Sequence, residues 1–71
     1  MELRHLEYLI AVVEEGSFTK AAARMHVAQP GVSAQIRQLE RELGQELLDR
    51  SGGTVTPTQA GAAVLSHAGG A

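Results

Sequence analysis

Apolar residues recur at helical spacing in three blocks, followed by a short extended stretch and one further helix. In the first block Leu3, Leu6, Ile10 and Val13 form a stripe, with Leu9 beside it and Tyr8 and Val12 toward another side. This predicts a helix over Met1–Glu15, closed by Gly16. Tyr8 and Val12 are expected to be partly exposed or free for a dimer contact. Ser17 can cap a second helix, Phe18 to about Met25, with Ala21, Ala22 and Met25 on one side. A turn follows through His26, Val27 and Ala28. A third helix opens at Gln29–Pro30, where a proline costs little in the first turn. Val32, Ile36, Leu39 and Leu43 give its apolar stripe, and Gly44 ends it. The hydrophobic pair Leu47–Leu48, the turn Ser51–Gly52–Gly53 and the β-prone Thr54–Thr56 predict a small two-stranded wing with Val55 inward, ended by Pro57–Thr58. Thr58 can cap a last helix from Gln59 to about His67, with Ala60, Ala63, Val64 and His67 roughly on one side. Gly69–Gly70–Ala71 would not continue it well. The expected core is Leu6, Ile10, Val13, Ala22, Met25, Val27, Val32, Ile36, Leu39, Leu43 and Leu47.

The third helix carries the candidate chemistry. At about 100° per residue, Pro30, Ala34, Arg37 and Arg41 fall opposite its apolar stripe, flanked by Gln29 and Ser33. Near its start this outer face is built from small residues, so the backbone could approach base edges in a DNA major groove. Gln29 can pair bidentately with adenine, Ser33 can donate or accept, Ala34 can touch a thymine methyl, and Arg37 can reach guanine or phosphate. The run Phe18–Arg37 resembles a helix-turn-helix, with Thr19, Ala22, Met25, Val27, Gln29, Val32 and Ile36 at matching positions. His26 stands where glycine is common, and a left-handed backbone there costs it more than a glycine. Periodicity alone is equally compatible with a helical hairpin whose outer face is merely solvated.

Composition narrows the picture. The chain has 71 residues, 44% of them apolar, which bounds it to one small globular domain. Cysteine is absent, which excludes a disulfide framework and a cysteine-ligated zinc finger. His5, His26 and His67 are scattered without metal-ligand spacing and read as surface or turn histidines. No apolar run approaches the roughly 18 residues of a membrane span, so a cytoplasmic protein is expected, without membrane contact. The net charge of −2 argues weakly against nucleic acid, but the acids lie outside the window from Gly16 to Leu39, which holds Lys20, Arg24 and Arg37. No metal, nucleophile or phosphate-loop motif is present, so an enzyme is not expected.

Taken together, the residues resemble the N-terminal domain of LysR-type bacterial transcriptional regulators. The matching positions are Leu3, Leu6, Glu15–Thr19, Ala21–Ala22, Val27, Gln29–Pro30, Val32–Ser33 and Gln35–Ile36. They continue through Leu39–Glu40, Leu43–Gly44, Leu47, Arg50, Thr58 and Ala60–Gly61. Ala28 replaces a common serine cap and Leu48 a frequent phenylalanine. Gly31 is less common than alanine or serine, and the wing turn Gly52–Gly53–Thr54 lacks a frequent basic residue. The resemblance implies a mainly α, winged helix-turn-helix fold: a three-helix core, a small wing and the start of a linker helix. It places the DNA-binding domain at 1–58, with the helix-turn-helix at 18–37 and the wing at about 46–57. Residues 59–71 would begin a linker and dimerisation helix.

The implied function is sequence-specific binding of double-stranded DNA at a promoter or operator site, with a recognition helix over about 29–43 in the major groove. Groove contacts are implied for Gln29, Pro30, Ser33, Ala34 and Arg37. Backbone contacts are implied for Thr19, Lys20, Arg50 and Thr54. No cofactor and no metal are implied. Self-association through the linker helix is expected to be weak for so short a helix. A small-molecule effector would act only through a C-terminal domain that these residues do not include. The alternative reading is a winged-helix protein-interaction module without DNA. The acidic net charge and neutral wing favour it slightly, and salt-dependent binding to duplex DNA separates the two.

Overall fold

A computed structural model describes residues 2–68 of the chain. Four helices and a two-stranded antiparallel ribbon appear in the order α1 (Leu3–Glu15), α2 (Phe18–Met25), α3 (Gln29–Leu43), β1 (Leu48–Asp49), β2 (Thr56–Pro57) and α4 (Gln59–Ala68). The mainly α, winged helix-turn-helix architecture is thus the one expected. The predicted break at Gly69–Gly70 lies outside the described residues.

The helix ends follow local chemistry. Gly16 closes α1 with a left-handed backbone, φ 68°, and its N–H donates to the Val12 carbonyl. Ser17 caps α2 by accepting the Lys20 N–H at 3.1 Å. His26 closes α2 at φ 61°, the strained geometry expected of a histidine in glycine's place. Ala28 caps α3 with extended backbone and no side-chain bond, and proline follows in the first turn. Thr58 caps α4: its hydroxyl accepts the Gly61 N–H at 3.0 Å and donates to the Glu46 carbonyl at 2.6 Å.

α1, α2 and α3 pack around Leu9, Ile36, Leu39, Leu47, Val12 and Val32, the largest fully buried side chains. The α3 stripe is as expected for Val32, Ile36 and Leu39. The α1 stripe is rotated from expectation. Leu9 and Val12 are buried, as are Ala11 and His5, while Leu6, Ile10 and Val13 are only half-buried and Leu3 is 73% exposed. Apolar residues nearly encircle α1, so two phases fit the sequence. Reading His5 as a surface residue hid the true one, because its ring completes the 5–9–12 stripe. Three buried residues, Phe18, Ala21 and Leu48, join the core. Met25 packs half-buried against it. Val27 and Leu43 do not belong to it; each is more than a third exposed, Val27 just past the α2 turn and Leu43 at the last position of α3.

The ribbon pairs Leu48 with Pro57 and Asp49 with Thr56. The second strand therefore starts at Thr56, later than the predicted Thr54–Thr56, and includes the proline expected to end it. Pro57 is tolerated because the sheet has two short strands, and each has a free edge. Val55 instead donates its N–H to the Gly16 carbonyl at 3.0 Å and packs against the core. α4 also turns a different side inward: Gly61 is buried and Ala60, Val64 and Leu65 half-buried, while Ala63 and His67 are exposed.

Candidate nucleic-acid interface

The outer face of α3 begins at its first residue. Pro30, Ala34 and Arg37 are exposed, and Gln29 and Ser33 are half-buried beside them. The two half-buried residues are bonded: Gln29 Nε2 donates to Ser33 Oγ at 3.0 Å. The Gln29 side chain is thus bonded forward along the helix, and the N-cap residue Ala28 makes no side-chain bond. The spacing of four residues between Gln29 and Ser33 is the one signal from which their bond could have been read.

The wing lies between the start of α2 and the middle of α3. Arg37 and Arg50 line one cleft together with Glu40, Glu46, Leu48, Asp49, Ser51 and Thr58. The Arg50 guanidinium sits over the Phe18 ring, 4.0 Å from its centroid. At an exposed site such a contact contributes about 0.5–1 kcal/mol; its structural effect is to hold Arg50 near the α2 N-terminus. Phe18 was missed as a platform because its partner is 32 residues away. Thr54 packs toward Gly16, where an added Cβ would fall 2.9 Å from its methyl. Thr19 and Lys20 are exposed at the start of α2, directly after Phe18. Of the implied backbone-contacting residues, Arg50 and Thr54 thus lie against the start of α2, Thr19 and Lys20 are exposed in its first turn, and the implied groove residues lie along α3.

Two details change the electrostatics. Arg24 pairs with Glu14 at 2.7 Å and Glu15 at 3.4 Å. The Glu14 hydrogen bond is the main cause that holds its pKa above the ordinary value, against some desolvation. Arg24, which its place in the acid-free window presents as one more cation, is thus ion-paired with the end of α1. The single positive charge offsets one of the two negative charges at the negative end of the α1 dipole. In the wing turn, Asp49 accepts the Ser51 hydroxyl at 2.7 Å and the Ser51 backbone N–H at 2.8 Å. These bonds, the hydroxyl's foremost, hold its carboxyl below the ordinary value. A depressed folded pKa stabilises the turn above the unfolded carboxyl's pKa, and the contribution is lost as pH falls through the folded one. Ser51→Ala is expected to move the Asp49 midpoint upward in an NMR titration; an unmoved midpoint would refute the hydroxyl's role.

A hydrogen-bonded joint ties α3, the wing and α4. Glu40, half-buried on α3, accepts the Leu47 N–H at 2.8 Å. The Leu47 carbonyl accepts the Thr58 N–H at 3.0 Å. Among the described residues no group of histidines and acids could hold a metal, and no helix is long and apolar enough to cross a membrane.

This geometry has close counterparts. The sequence profile of the bacterial regulatory helix-turn-helix proteins of the lysR family matches residues 3–62. The chain belongs to the LysR family. Among LysR relatives, the transcriptional regulator BenM of Acinetobacter baylyi is 57% identical over 61 residues, covering 86% of this chain and 20% of BenM. AlsR of Bacillus subtilis is 54% identical over 67 residues, covering 94% of this chain and 22% of AlsR. The chain thus spans about a fifth of the length of these LysR proteins. The BenM DNA-binding domain in complex with catB site 1 DNA superimposes with a TM-score of 0.91 at 53% identity, over 96% of this chain and 76% of that one. The CbnR DNA-binding domain in complex with DNA gives a TM-score of 0.89 at 47% identity, over 96% and 78%.

Proposed function

We propose that these residues form the DNA-binding part of a LysR-type transcriptional regulator and read duplex DNA with α3 in the major groove. The observation that carries this reading is the exposed, small-residue start of α3, presented on a backbone so similar to domains solved on DNA. Gln29, Pro30, Ser33, Ala34 and Arg37 are assigned to the groove, and Thr19, Lys20, Arg50 and Thr54 to the sugar-phosphate backbone. Residues 1–58 make up the DNA-binding unit, and 59–71 begin a linker, opened by α4, through which two copies associate weakly. The reading involves no catalytic step, places the protein in the cytoplasm, and leaves effector sensing to further residues of a longer regulator.

Selection of bound sequences from random duplexes tests the reading, and enrichment of a shared motif is expected. No enriched sequence would favour a protein-interaction module. Affinity should also fall with salt, each neutralised phosphate adding about 0.9 to the slope of log affinity against log salt. Lys20→Ala should reduce that slope by about one contact and weaken binding on all sequences alike. Arg24→Ala should leave the slope unchanged, because Glu14 and Glu15 already hold that cation. Equal slope changes for the two variants would refute this division of the cations.

A further inference from the structure

We propose that Ser33 is a positioning residue, fixing the Gln29 carboxamide so that the two side chains act as one base-reading unit. The inference rests on the DNA-reading role proposed for α3. Gln29 is the first residue of that helix, and its long side chain would ordinarily sample several rotamers at the protein surface. Ser33 lies one turn further along the same side. The hydrogen bond from Gln29 Nε2 to Ser33 Oγ, 3.0 Å long, joins two half-buried side chains.

The chemistry of the bond leaves the reading edge intact. A carboxamide has two N–H donors and one acceptor oxygen. The edge is kept when Ser33 takes the N–H that points away from Oε1. The N–H beside Oε1 and Oε1 itself then remain, and these are the donor and acceptor that adenine N7 and N6 require. Ser33 has no rival for this role among the adjacent outer positions: Pro30, Gly31 and Ala34 carry no hydrogen-bonding side chain. Holding the amide in place before DNA arrives reduces the side-chain freedom lost on docking. That gain belongs to the cognate base pair alone. Where the amide finds no matching base, the bond to Ser33 persists and nothing is added.

A double-mutant cycle tests the inference, read as the ratio of affinities for a duplex selected from a random pool and a scrambled duplex. The ratio cancels any loss of folded protein. Ser33→Ala is expected to lower it about tenfold, within the range a bidentate contact supplies, while Ser33→Thr keeps the hydroxyl and the ratio. In a Gln29→Ala background, Ser33→Ala should have no further effect. Equal losses in the two backgrounds would make Ser33 an independent reader and overturn the inference. So would an unchanged ratio for Ser33→Ala when Gln29→Ala alone lowers it. An unchanged ratio for Gln29→Ala would instead overturn base reading at Gln29 itself.

Discussion

Gly61→Ala is expected to lower the melting temperature by roughly 8–16 °C, from a net loss of about 2 kcal/mol in a domain of this size. A Cβ at this position would fall 2.0 Å from the Leu47 carbonyl oxygen and 3.0 Å from its carbon. The obstacle is backbone, so no rotamer change relieves it. Leu47 cannot retreat easily either: its side chain is fully buried, its N–H is held by Glu40 and its carbonyl by the Thr58 N–H. Overpacking of this kind costs about 1–3 kcal/mol, occasionally more, and this overlap belongs at the upper end. Alanine recovers about 1 kcal/mol of helix propensity, which is too little to reverse the sign. The displaced element would be α4. An unchanged or raised melting temperature would show that α4 can slide over Leu47 at little cost.

Ile36→Ala is expected to cost about 2–5 kcal/mol in denaturant unfolding. The total stability of a domain this small is on the order of 4–10 kcal/mol, so a substantial unfolded fraction would follow at the upper end. Ile36 is 1% exposed and lies between Val32 and Leu39 on the buried side of α3. On the same helix Ser33 lies one turn before it and Arg37 directly after it, both proposed above for the groove, so the cavity lies under the proposed reading surface. Because the loss acts through the fold, weaker DNA binding should scale with the unfolded fraction and spare the ratio between selected and scrambled duplexes. A loss below about half a kcal/mol, far under the range for a buried large-to-small change, would remove Ile36 from the core.

Much of this fold is legible wherever one residue type answers one local demand. Gly16 and Gly44 adopt the left-handed caps expected of them, Ser17 and Thr58 accept the early helix amides, and α2 and α3 have the predicted bounds. The wing was legible in kind but not in register, since Val55 bonds to Gly16 rather than to a strand partner. The outer face of α3 was legible, because small and polar residues at helical spacing opposite an apolar stripe mark it; Thr19, Lys20, Arg50 and Thr54 entered the proposed site only through the family resemblance. Its internal bonds were less so. Arg24 reads as one more cation in an acid-free window until the end of α1 comes beside it.

The sequence by itself determined where α2 and α3 start and stop and where α1 ends, which side of α3 is buried and which residues it presents, because caps and periodicity act within a few residues; α1 starts at Leu3, after an extended Glu2, and not at the predicted Met1. Only the tertiary structure decided the phase of α1, the pairing of Arg24 with Glu14 and Glu15, the seat of Arg50 on Phe18 and the need for glycine at position 61. Each of these depends on contacts between segments distant along the chain. A helix apolar on nearly every side fits several packings, and a carbonyl such as that of Leu47 excludes a methyl group only once another helix is laid across it.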